Sequence, residues 1–141
     1  MSFERFMKKN KAVKENTFYP ATASLCDENG KPLEWEIRAL TTKETEAIRE
    51  KNTLEIPVPG KPGMYRQKIT ENYVPSLICA AVVSPNLYDA ELQDSYGVKT
   101  PQELIVEMID NPDEYAKMLQ FVQSYSGIKS TMDEEISEAK N

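Results

Sequence analysis

The sequence has 141 residues, 40% hydrophobic and 28% charged, a balance inside the globular range and outside the disordered one. That length fits one domain with a core of its own. With no histidine and a net charge of −6, the chain excludes Ser-His and Cys-His couples and His-ligated zinc, and most of its surface repels a phosphate backbone.

These exclusions predict a non-enzymatic protein without metal, cofactor or nucleic-acid partner, but composition and spacing alone assign it no role. Carboxylate or lysine chemistry alone stays open to an enzyme. The apolar run from Leu77 to Val83 is far shorter than the ~20 residues that span a bilayer. The opening Met-Ser-Phe-Glu-Arg lacks an apolar signal region, so the expectation is a cytoplasmic protein with no membrane contact. Cys26 and Cys79 belong to no Cys-x-x-Cys pair and are read as buried free thiols.

Along the chain, residues 1–17 read as a basic arm or short helix, with Arg5, Lys8, Lys9, Lys11 and Lys14 among the apolar Phe3, Phe6, Met7 and Val13; this basic end and the acidic last ten residues read as solvated ends, with docking arms for partners as the alternative. A single α+β domain is expected over 18–127 and an acidic tail over 128–141. From Leu33 the residues alternate, with Leu33, Trp35, Ile37 and Ala39 on one side and Glu34, Glu36 and Arg38 on the other. Such period-two alternation marks a half-buried strand. Residues 20–26 alternate more weakly, with Ala21, Ala23 and Leu25 on one face. Asn29-Gly30 lies between the two runs and predicts a hairpin turn.

Thr41-Thr-Lys-Glu44 reads as a capping box that opens a helix running to about Lys51. Three prolines and two glycines crowd residues 56–63, which predicts a turn-rich loop, flanked by an irregular strand pair whose returning arm is Tyr65 to Ile69. From Glu71 the pattern is helical: Tyr73, Leu77 and Ala81 recur at i+4, as do Val74, Ile78 and Val82, until Pro85 ends the run. Asp89 to Tyr96 predicts a short helix stopped by Gly97. Thr100-Pro-Gln-Glu103 and Asn111-Pro-Asp-Glu114 each set a cap, a proline at the first helical position and a carboxylate near the positive end of the dipole. The first helix carries Leu104, Ile105, Met108 and Ile109, and the second Tyr115, Met118, Leu119, Val122 and Tyr125 before Gly127. From Thr131 an acidic helix with Met132 and Ile136 follows. The expected class is α+β, an N-terminal β-hairpin region followed by a cluster of short helices.

The chemical motifs resolve to structural roles. Gly60-Lys61 is followed by Pro62 and lacks the spacing of a phosphate loop. Asp27, Asn29 and Gly30 suggest the start of a calcium loop, but Arg38 stands where the closing glutamate belongs. Asp89, Glu91 and Asp94 read as solvated carboxylates. Trp35 is the lone tryptophan and reads as a core anchor of the hairpin, with an interface hot spot as the alternative. Tyr96, Tyr115 and Tyr125 read as core residues with wet hydroxyls. The candidate protein-interaction residues are Trp35, Leu104, Met108, Met118, Leu119 and Tyr125.

The string from Asp27 through Arg38, followed by Leu40-Thr41, Glu44 and Arg49, resembles the hairpin segment of the XkdN-like phage tail assembly chaperones. Ser84-Pro85-Asn86-Leu87 with Leu92-Gln93, Tyr96-Gly97-Val98 and the Pro-Val-Pro-Gly-Lys loop are similar to that family in order and spacing. Leu25-Cys26 departs from it, standing where the family has a basic and an aromatic residue. The resemblance implies a chaperone that binds the tape measure protein and keeps it soluble while tail tube subunits assemble, with the tail tube protein and self-association open as further contacts. It also implies a longer frameshifted product arising near Ala139-Lys140-Asn141. A structural tail or head-tail connector subunit is the alternative reading.

Overall fold

The computed structural model describes residues 2–129. The predicted acidic helix from Thr131 and the segment Ala139-Lys140-Asn141 lie outside the described residues. The class is α+β, as the sequence predicted: β1 (Thr17–Tyr19), β2 (Trp35–Ile37), α1 (Thr42–Lys51), β3 (Thr53–Pro57), β4 (Tyr65–Ile69), α2 (Tyr73–Ala81), β5 (Val82–Ser84), α3 (Ala90–Ser95), α4 (Pro101–Met108) and α5 (Pro112–Ser126).

The N-terminal strands pair antiparallel, but the first arm is β1 and not residues 20–26. Thr17 faces Ile37 and Tyr19 faces Trp35. Residues 20–34 form the connection between them, and the predicted turn sits inside it as a local loop with a single Cys26–Pro32 bridge. Asp27 Oδ1 accepts from the N–H groups of Asn29 (2.8 Å) and Lys31 (3.0 Å), and Gly30 takes φ 79°, a conformation glycine adopts without a Cβ clash. Alternation failed at 20–26 because a partner outside the hairpin fixes that backbone. Glu114, on α5, accepts from the Thr22 hydroxyl (2.7 Å) and the Ala23 N–H (2.8 Å). Ala23 is accordingly exposed, Thr22 is buried, and Cys26, expected to be buried, is exposed. Leu33 is exposed too, since β2 begins only at Trp35.

A third strand that the helical periodicity concealed completes this sheet. The helix predicted to run toward Pro85 ends at Ala81, and Val82–Ser84 pairs antiparallel with β2 in the order β1-β2-β5. Two consecutive β-branched valines favour the extended chain, and the Arg38 N–H donates to the Ala81 carbonyl at 2.9 Å. Pro85, joined to Ser84 by a cis bond, follows the strand.

The core lies between this sheet and the helices. Trp35 and Ile37 point inward from the central strand and meet Tyr73, Leu77, Ile78 and Ala81 of α2, together with Leu104, Ile105 and Met108 of α4 and Met118 and Val122 of α5. Helix α2 is the hub, packing against α1, α4 and α5. The caps form as their sequences demand: Thr41 and Glu44 complete the capping box of α1, and Asp89, Thr100 and Asn111 accept from the N–H groups of Leu92, Glu103 and Glu114. Strands β3 and β4 pair regularly from Thr53↔Ile69 to Pro57↔Tyr65. They project as a two-stranded hairpin, exposed along nearly all of its length.

Candidate protein-interaction surface

Four of the six candidate interaction residues sit inside the fold. Trp35 (2% exposed), Leu104, Met108 and Met118 are core residues and are inaccessible to a partner in this conformation. Trp35 is therefore the core anchor of the sheet. The helical faces that the i+4 pattern singled out are occupied by one another. This follows from the size of the chain: a small domain needs nearly every strong apolar stripe for its own core.

Leu119 and Tyr125 remain half-buried. Tyr125 ends a ladder of rings on one side of α5: Tyr19 stacks on Phe121 with centroids 4.3 Å apart, and Phe121 stacks on Tyr125 at 5.9 Å. Its hydroxyl donates to the Glu15 carbonyl, and the Lys14 ammonium lies 4.1 Å above its ring, a cation–π contact. Asn16 Nδ2 donates to Glu36 at 2.8 Å. Together these contacts hold the N-terminal arm against the domain at its base.

Beyond that base the arm turns away from the core. Two short 3-10 turns, Glu4–Phe6 and Lys8–Asn10, are tied together by the Lys9–Glu4 ion pair and by Asn10 Nδ2 donating to the Glu4 carbonyl. Phe3 (70%), Phe6 (81%), Met7 (54%) and Val13 (88%) are all exposed. The β3–β4 hairpin adds exposed Leu54, Met64 and Tyr65. Apolar side chains gathered on projecting segments mark surfaces that other molecules cover. Sequence reasoning gave the basic arm a docking role only as the alternative to a solvated end and passed over the hairpin, because neither segment has a helical or strand period aimed at the core. The available signal was phenylalanines within a run of lysines.

A shallow groove of about 530 Å³ lies between the N-terminal turn of α2 and the outer face of α4. Asn72, Pro75, Val98, Glu103, Val106 and Glu107 are among the residues that line it. Val106 is 48% exposed, and α4 contains no basic residue.

The reactive groups serve the fold. Burial pushes the Cys79 thiol up to about 12, so it stays protonated near neutrality, and it donates to the Pro101 carbonyl. Burial likewise raises the Tyr115 hydroxyl to about 12. Asp89 is a helix cap, while Glu91 and Asp94 face solvent. Lys61 lies in the β3–β4 turn. No helix among the described residues is long and apolar enough to cross a membrane.

A small α+β domain with a filled core and apolar projections is thus the class this structure defines. Its fold is similar to that in a crystal structure of the protein YqbN, with a TM-score of 0.71, 17% identity and coverage of 92% of this chain and 98% of that one. In sequence it is 22% identical over 127 residues to the uncharacterized protein YqbN of Bacillus subtilis (strain 168), spanning 90% of this chain and 85% of that protein. Residues 3–140 match the family of phage XkdN-like tail assembly chaperone proteins, and the chain belongs to that family. Membership gives the general role, assistance in phage tail assembly, and with it contact with phage tail proteins.

Proposed function

We propose that this chain binds the tape measure protein, covers the apolar stripe of that long helical polypeptide, and keeps it soluble until tail tube subunits enclose it. The observation that carries this reading is the exposure of large apolar side chains on the arm and on the β3–β4 hairpin, within a chain of the tail assembly chaperone family. An uncovered amphipathic helix aggregates through its stripe. A groove-and-helix contact or a strand added to the hairpin edge would cover it.

The buried candidates Leu104, Met108 and Met118 then act indirectly, by holding α4 and α5 in place, while Leu119 and Tyr125 border the contact. A long helix offers many equivalent stripes, so several copies bind one partner. The work is done in the host cytoplasm, without catalysis, and the tail tube protein is the second contact.

Co-expression with the cognate tape measure protein tests the proposal. The partner's soluble fraction should rise and the two proteins should co-purify. A tape measure protein that stays insoluble, with this chain stoichiometric in finished tails, would replace the proposal with the structural-subunit alternative.

A further inference from the structure

We infer that the outward face of the β3–β4 hairpin is a docking surface for an amphipathic helix whose apolar stripe is bordered on one side by carboxylates. The inference rests on the reading above that a long helix with an apolar stripe is the partner, and it adds which face meets that stripe and which charge runs beside it.

The register divides the hairpin into two faces. Leu54 stands opposite Lys68 and Ile56 opposite Arg66, and the Val58 N–H donates to the Met64 carbonyl at 3.0 Å. Cross-strand partners and every second residue of a strand share a face. One face therefore carries Leu54, Ile56 and Val58 in a row, with Met64, Arg66 and Lys68 beside them. The opposite face carries Glu55 and Gln67 and has at its foot Ile69, which packs against the core. None of Leu54, Ile56, Val58 and Met64 packs there, and Leu54 and Met64 are 57% and 54% exposed, so their face points away from the body.

The charge on this face fixes the kind of partner. Arg66 and Lys68 are exposed, and among the described residues neither forms an ion pair. Residues 53–70 hold three basic side chains against Glu55 alone, within a chain of net charge −6. An apolar row flanked by cations is matched by an apolar row flanked by anions: the row is desolvated, and the border charges set orientation and disfavour a stripe lined with lysine. From Leu54 to Val58 the row is roughly 13 Å long at the strand rise, the length of roughly two to three helical turns. A helix is the occupant because the complementary groups are side chains on a face. The outer edge of β3 suits an added strand poorly, since Pro57 supplies no N–H.

Fluorescence anisotropy with two synthetic peptides of about 18 residues, sharing one leucine stripe and bordered by glutamate in one and by lysine in the other, tests the face directly. The full chain should bind the glutamate peptide roughly tenfold more tightly than the lysine peptide, and the difference should shrink as salt rises. Arg66→Glu with Lys68→Glu should reverse the preference, a gain that a misfolded chain does not produce. Leu54→Ser with Met64→Ser should weaken both peptides roughly tenfold, and Tyr65→Ser with Gln67→Ser, on the opposite face, should bind like the parent. All six positions are exposed, so the melting temperatures should match. A parent that binds neither peptide or does not discriminate, a charge-reversed chain that keeps the parent's preference, or an equal loss in the opposite-face variant would each overturn the inference. Co-expression separates the face from the partner's identity. Tape measure protein held soluble equally by the parent and by both variants of the outward face keeps the proposed function and removes the face. Peptides sorted as expected, beside a tape measure protein that stays insoluble, keep the face and remove the partner.

Discussion

Trp35 and Arg38 show how much single residues settle in this chain. Trp35 sits at the centre of the sheet with 2% exposure, and its alternation with Ile37 was plain in the sequence. Trp35→Ala should cost about 3–5 kcal/mol through lost transfer energy and the cavity left behind, measured as a fall in denaturant midpoint at constant m value. Arg38 binds Glu44 through both terminal guanidinium nitrogens, and this contact, with the Thr41 hydrogen bonds, holds the Glu44 carboxyl at about 2 against an ordinary 4.5. A depressed folded pKa contributes stability that is complete above the unfolded value and lost as pH falls through the folded one. Stability should therefore decline between about pH 4.5 and pH 2. Both side chains are about a third exposed, so solvent screening limits the pair to about 1 kcal/mol. Glu44→Gln keeps the capping box and should flatten the acid limb of a thermal-stability profile, though not abolish it, because Glu114 is also held low by the Ala23 N–H and the Thr22 hydroxyl. An unchanged acid limb would show that the pair contributes nothing. Cys26 shows the limit of reading one residue at a time: its apolar character suggested burial, but the long-range hold of Glu114 on residues 22–23 turns the loop outward.

Among the elements, those with local causes were legible and those with distant ones were not. The helices at Thr42, Ala90, Pro101 and Pro112 each announce themselves with a cap three residues before a satisfied N–H. Asn111→Ala should cost about 1 kcal/mol, seen as a lowered melting temperature. Strands β1 and β5 are three residues each, too short to show a period, and each exists because β2 offers an edge. The valines at 82 and 83 continue an apolar run that fits a helix equally well until β2 is in place. The interaction surface was less legible still, since periodicity finds the stripes that a chain buries for itself. The β3–β4 hairpin illustrates what it leaves out: Asn52 and Thr70 already meet at its foot, with N–H to carbonyl at 2.7 Å. Replacing residues 54–68 with a short Gly-Ser linker should therefore leave a cooperative fold with a melting temperature within a few degrees of the parent. A large loss would mean that the hairpin supports the core and does not merely project from it.

At the level of the whole molecule, charge and packing divide the chain into an acidic body and basic apolar projections, and the border between them falls at the Tyr125 anchor. Lys14 and Glu15 contact Tyr125, Asn16 reaches Glu36, and only from Thr17 does the backbone join the sheet. The described residues before that point contribute surface, and the sheet and helices after it contribute stability. Two truncations separate these contributions. Removing residues 2–12 takes away the exposed phenylalanines and spares each anchoring contact, so thermal unfolding should be unchanged while the proposed tape measure binding weakens. Removing residues 2–19 also takes β1, which uncovers one edge of β2 and strips Tyr19 from Phe121. That chain should lose cooperative unfolding or melt far lower, because burial in a domain this small leaves only a marginal surplus over conformational entropy. Calorimetry on the two truncations, beside pull-down with the tape measure protein, reads both effects together. If the shorter truncation melted as low as the longer one, the arm would be part of the core and the division into body and projection would be wrong.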